Sequence, residues 1–133
     1  MKPEDRQYAQ YRLSRADEAL DEARLMLEHG HLHAAVSRLY YACFYAVSAL
    51  LLTAGLAAKK HSGVIALFDR HWVNSGEVAI SHGRLYRKLF ENREMSDYLD
   101  LAQFERAEVE KLLSEAEQFV ETVSTKARES IQR

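Results

Sequence analysis

Apolar residues recur along most of this chain at alternating spacings of three and four, the pattern of helices that bury one face. From Leu13 through Ala16, Leu20 and Ala23 to Leu27 they form a single narrow seam. Pro3, Glu4 and Asp5 supply its start, because proline is tolerated in a first turn and acidic side chains favour the positive end of the helix dipole. Glu28 and His29 close this helix, with Gly30 just past its end, where a left-handed residue terminates it. A second helix is predicted from about Leu32 to Ala54, stopped by Gly55. Its apolar set of Leu32, Ala35, Val36, Leu39, Cys43, Val47, Leu50 and Leu51 covers more than one face, so several helices should surround it. A third is predicted from about Ser62 to Asn74 on Val64, Ile65, Leu67, Phe68 and Trp72, ending before Gly76. After a loop over 77–81, Ser81 or His82 opens a fourth helical piece that reaches about Asn92, with Leu85, Leu89 and Phe90 inward. The stretch 93–100 loses the periodicity and is predicted to bend. A last, acidic helix runs from about Leu101 with Phe104, Val109, Leu112, Ala116, Phe119 and Val123 inward, and the tail after Thr125 is expected to fray.

These elements predict an all-α fold, an up-and-down four-helix bundle with one additional short helix, as a single domain across residues 1–133. The 133 residues hold one proline, Pro3, and five glycines, at 30, 55, 63, 76 and 83. An all-β or α/β chain of this length needs more turn residues to reverse direction. With 47% hydrophobic residues the chain can bury a sizeable core without staples. One segment needs a decision. Residues 39–58 carry no formal charge and are long enough, at about 1.5 Å per residue, to cross a bilayer. Three tyrosines, Ser48, Thr53 and Gly55 interrupt that run, and every other segment is amphipathic. The start, MKPEDRQYAQ, is not a basic-then-apolar signal. The run is therefore read as the buried central helix of a cytoplasmic protein with no membrane association. The single Cys43 cannot form an intramolecular disulfide, which suits a reducing compartment, and is read as a small core residue.

Charge changes the picture more than composition does. The net charge is only −2, from eighteen Lys and Arg against twenty Asp and Glu. Residues 59–93 nevertheless carry seven basic and three acidic side chains, with His61, His71 and His82, while residues 94–133 carry five basic and ten acidic. One third of the chain can thus present a positive face, or simply an uneven solvated surface. Lys59, Lys60 and His61 precede the third helix, and a helix N-terminus flanked by cations is an anion site by geometry and charge; the plainer reading is a loop kept soluble by two lysines. Arg84, Arg87 and Lys88 share adjacent turns of the fourth helix, followed by Arg93, Asp97 and Tyr98. An arginine, a carboxylate and a phenol so close can form a network that pins the bend, or an arginine that stabilises phosphorane-like charge. No metal site is expected. His29, His31 and His33 are spaced i and i+2, which a helix does not bring to one face, and no cysteine pair or HExxH spacing accompanies them. There is no glycine-rich phosphate loop and no Gly-x-Ser-x-Gly elbow, so no cofactor is expected.

The stretch SRLYYACFYAVSALL at 37–51, KKHSGVIALF at 59–68, and a helix ending in Arg93-x-x-x-Asp97-Tyr98 together resemble the HEPN domain, in particular its small stand-alone prokaryotic members, over roughly residues 8–125. The resemblance implies a five-helix bundle that forms a homodimer around a shared cleft. It also implies metal-independent endoribonuclease chemistry, using an arginine and a histidine separated by four to six residues. Many such proteins are toxins paired with a minimal nucleotidyltransferase antitoxin, which in some pairs adenylylates a tyrosine just beyond the histidine. Arg93 fits the arginine, but residues 98–100 are Tyr, Leu and Asp. Arg24 followed by His29 matches the spacing only on the first helix. Without the imidazole, activation of a 2′-hydroxyl loses its evident base, unless the fold brings His61 or His82 to Arg93. The expected site is then Arg93, Asp97, Tyr98 and His61 for chemistry, with Lys59, Lys60, Arg84, Arg87 and Lys88 holding RNA or nucleotide. Two other readings stay open: a non-catalytic module that docks on a nucleotidyltransferase, with the arginine cluster as scaffolding, and a small ligand held between helices. The three tyrosines at 40, 41 and 45 point around much of the second helix, which suits an interface.

Overall fold

In the computed structural model the described residues are 1–99 and 103–133, with side chains described outside 94–102. They form five α-helices: α1 (Pro3–Glu28), α2 (Leu32–Thr53), α3 (His61–Phe68), α4 (Ile80–Leu99) and α5 (Arg106–Ile131). A single π-helical turn, Asp69–Val73, extends α3. Its i to i+5 bond runs from the Asn74 N–H to the Asp69 carbonyl at 2.8 Å.

Helix α2 is the centre of the molecule. It packs along α1 and α5 and touches α3 and α4. Eleven of its residues, from Ala35 to Leu51, are buried. By length and composition this helix could cross a membrane, with a mean hydropathy of 1.4, but it lies inside the bundle. The reversals at both of its ends are chemically alike. After α1, the His31 N–H reaches the Met26 carbonyl at 2.8 Å and the Gly30 N–H reaches Leu27 at 3.0 Å. After α2, Leu56 reaches Leu51 at 2.9 Å and Gly55 reaches Leu52 at 3.1 Å. Both are Schellman closures, which require a positive φ at the glycine, +78° at Gly30 and +73° at Gly55.

Three expectations need correction. Helix α4 does not stop at Asn92 but continues to Leu99, so the predicted bend over 93–100 is absent from 93–99. Arg93 therefore sits inside a helix, not beyond its end. Residues 100–102, and the side chains of Asp97 and Tyr98, lie outside the described residues. Helix α5 begins at Arg106, five residues later than its apolar pattern suggested, because a capping box sets its start. There the Glu105 N–H donates to the Glu108 carboxylate at 3.4 Å. Nor does the tail fray after Thr125: Ala127 and Ile131 continue the seam and are buried. Cys43 is fully buried, and burial raises its thiol pKa well above the ordinary value, consistent with a core residue.

Candidate functional site

The centre of the candidate site is a pair of adjacent tyrosines on α2. Positions 40, 41, 44 and 45 occupy two neighbouring columns of the helix, so Tyr40, Tyr41, Phe44 and Tyr45 make one aromatic face. Tyr40 is fully buried and Tyr41 half-buried. Arg93 comes to them from α4. Its Nη2 donates to the Tyr41 hydroxyl at 2.8 Å. Its guanidinium lies 5.2 Å from the Tyr41 ring centroid and 5.7 Å from that of Tyr40. His61, the first residue of α3, reaches the same pair from the other direction. Its ring stacks on Phe44, 4.4 Å between centroids and 1° from parallel, and its Nδ1 is 2.6 Å from the Tyr40 hydroxyl.

The polarity of that short contact depends on the imidazole tautomer. Burial raises the Tyr40 pKa well above 10, so the phenol keeps its proton. A neutral imidazole that accepts at Nδ1 carries its own proton on Nε2. In that tautomer His61 donates at Nε2, which suits an anion or a general-acid step more than abstraction of a proton. Behind Tyr40 lies Tyr86, stacked at 6.0 Å and 22°. Its hydroxyl stands near Tyr40 but finds no hydrogen-bond partner within 3.5 Å among the described residues. Burial raises its pKa far above the usual phenol range.

The fold separates the remaining basic residues from this pair. At about 100° per residue, Arg84 and Lys88 fall on the side of α4 opposite Arg93, and Arg87 about a third of a turn away. Both Arg84 and Lys88 are exposed. Arg87 is committed elsewhere, in a 2.7 Å ion pair with Asp69 at the start of the π turn. Together with Arg84 it borders a shallow surface cleft that includes Gly83 and Asn74. Lys59 and Lys60 are exposed immediately before α3, and Lys60 occupies its N-cap position without a side-chain capping bond. They flank His61 by sequence. His82 shares the face of Arg93 but sits three turns away, edge-on to Phe119 at 5.6 Å. It cannot serve Arg93, whereas His61 meets it through the tyrosines.

Residue-by-residue inspection for chemistry missed the arginines of the first two helices. Arg38 lies 4.8 Å over Tyr41, on the ring that also bears Arg93, and pairs with Glu22 at 3.5 Å. Arg15 lies over Tyr45 at 5.2 Å and pairs with Glu18 at 2.9 Å. A signal was available: Arg12, Arg15, Arg38 and Tyr8 fall at helix-face spacings facing the tyrosine run. Among the described residues there is no cluster of three or more histidine, cysteine or carboxylate side chains that could hold a metal.

The comparisons with known proteins fit this arrangement. A model of the HEPN domain matches residues 9–128. A "UPF0332 protein" of Thermotoga maritima is 46% identical over 114 residues, 86% of each chain. The Methanocaldococcus jannaschii protein named "Putative toxin MJ0605" is 38% identical over 114 residues, covering 86% of this chain and 84% of its own. A second protein of that organism, "Putative toxin MJ0142", is 30% identical over 81% of this chain and 74% of its own. With the family match running from the first turns of α1 almost to the end of α5, and five helices arranged around a central α2, this chain belongs to the HEPN domain family.

Proposed function

We propose that this protein is a toxin-type HEPN protein of the cytoplasm. In this reading it works as a homodimer, binds RNA across Arg93, Tyr41 and His61, and is held in check by a minimal nucleotidyltransferase partner. One observation carries the reading: two residues 32 positions apart, His61 and Arg93, converge on the adjacent tyrosines Tyr40 and Tyr41. A guanidinium, an imidazole and an aromatic ring supply charge, hydrogen bonding and a stacking surface for one nucleotide. Lys59 and Lys60 extend the positive charge toward neighbouring phosphates. The relatives named as toxins support the same class.

The test is binding of a fluorescent single-stranded RNA in EDTA, since neither a metal nor a cofactor enters the reading. Affinity should fall steeply with salt, with a log–log slope of about −0.7 per phosphate engaged. Arg93→Gln should weaken binding at least about tenfold, the size of a lost charge-assisted contact. No RNA affinity at about 50 mM salt would sink the proposal. Sedimentation velocity and co-purification with the neighbouring gene's product check the dimer and the partner.

A second reading is a module that binds without cleaving. The absence of histidine at 98–100 favours it, because 2′-hydroxyl activation then lacks the imidazole base that would follow Arg93 in sequence. RNA that is bound but remains intact over hours selects this reading.

A further inference from the structure

Phe44 stacks on His61 and also lines a separate cavity of about 220 Å³. The Schellman turn at Gly55 swings the chain off the end of α2, and the small Ala57 and Ala58 carry it across to α3. Between them they leave a recess walled by Leu52, Leu56, Ala58 and Val64. Arg12 enters this recess from α1. Its guanidinium lies over the rings of Tyr8, Tyr45 and Phe44 at 5.0, 5.3 and 5.8 Å. One terminal nitrogen donates to the Tyr8 hydroxyl at 2.9 Å. Its Nε is buried and has no hydrogen-bond partner among the described residues. Its neighbours Arg15 and Arg38 each hold a carboxylate. Arg12 holds none among the described residues.

We propose that this recess is a binding site for a small amphipathic anion: a compact apolar body seated against Leu52, Leu56 and Val64, with one carboxylate on Arg12. The size argument is direct, since a dry apolar cavity of about 150 Å³ already takes a benzene ring. This one has room for a ring and a short acidic arm. The charge argument is equally simple. A half-buried guanidinium that borders the recess with no counter-ion among the described residues gains most from a carboxylate, whose hydrogen bonds to its terminal nitrogens are charge-assisted. The site does not depend on RNA binding, although Phe44 places its occupant one ring away from His61.

Phenylacetate is a suitable probe, followed by carbon–proton NMR of the methyl groups. Saturable one-to-one binding is expected, with a dissociation constant below about 1 mM. The largest shifts should fall on Leu52, Leu56, Ala58 and Val64. Phenylacetamide, equal in shape but uncharged, should bind at least about tenfold more weakly. Arg12→Gln should impose the same loss on phenylacetate while leaving phenylacetamide unchanged. Because Arg12 also holds three rings, Ser48→Leu serves as an independent variant that fills the recess and should abolish both. Equal affinity for the acid and the amide overturns the proposal. So does phenylacetate binding that survives Ser48→Leu, or the absence of saturation up to about 10 mM.

Discussion

Tyr40 and Tyr86 are both fully buried and stacked on each other, yet removing their hydroxyls should move stability in opposite directions. The Tyr40 hydroxyl is hydrogen-bonded to His61 Nδ1 at 2.6 Å. Tyr40→Phe keeps the ring and its packing but deletes that bond and leaves the ring nitrogen facing an apolar edge. A buried hydrogen bond contributes about 1 kcal/mol net, and stranding its partner adds to the loss, so about 1–2 kcal/mol of destabilisation is expected. The Tyr86 hydroxyl is buried beside Tyr40 without a well-formed hydrogen bond among the described residues, so its desolvation is poorly compensated. Tyr86→Phe removes that penalty and should stabilise by about 1 kcal/mol. The two variants, isosteric and only one ring apart, should therefore differ by about 2–3 kcal/mol. Urea unfolding reads this as midpoints displaced to either side of wild type at unchanged slope. In thermal melts it is a Tm separation of roughly 6–15 °C, at about 3–5 °C per kcal/mol for a domain of this size. Nitrogen NMR gives a second readout, because the His61 Nδ1 resonance should shift in Tyr40→Phe and hold its place in Tyr86→Phe. Midpoints shifted the same way in both variants, or a destabilised Tyr86→Phe, would refute the assignment of the hydrogen bond.

Three further outcomes follow from the fold. Gly55→Ala meets no atom within 4 Å, so its cost is the left-handed backbone alone, about 1–2 kcal/mol in thermal melts. Gly55→Asn should lose less, and equal losses would locate the strain elsewhere. Ile131→Ala should cost about 2 kcal/mol, because α5 is ordered and buried to its last turn; a frayed tail would give no change. Burial lowers the His82 pKa below its ordinary 6.5, so below that value the unfolded chain binds more protons than the folded one. The stability this group contributes is complete above about pH 6.5 and declines as pH falls from there toward the lower folded pKa. His82→Gln should flatten that part of the curve, and a slope identical to wild type would contradict it.

The five helices were legible because each carries its own periodicity and punctuation. Gly30 and Gly55 act as helix stops in sequence and hold positive φ in space. The errors fall where a non-periodic device decides. Around Arg93 the sequence of 93–100 carries no apolar repeat, and such a repeat is the only signal that periodicity reads. The backbone ladder of α4 runs through Arg93 to Leu99 all the same. At α5 the apolar pattern extends upstream to Leu101, but the reciprocal bonding of Glu105 and Glu108 sets the start. That capping pair was visible as Glu-x-x-Glu.

The site was legible in its residues and not in its grouping. Seven basic side chains within 59–93 read as one patch, because sequence proximity stands in for spatial proximity when nothing else is known. Helix geometry divides them: the turn that faces Arg93 inward faces Arg84 and Lys88 outward, and Asp69 neutralises Arg87. Among the described residues, what joins Arg93 to His61 is the aromatic columns of α2, where three tyrosines had suggested an interface. Tyr40 is too deeply buried to meet a partner chain, whereas Tyr41 is half-buried and carries two arginines on its ring. The tyrosine run therefore serves two purposes at once. One column closes the core and hydrogen-bonds His61, and the other presents guanidinium groups at the surface. A substitution at Tyr40 should thus act through stability and the imidazole, and one at Tyr41 through the placement of Arg93.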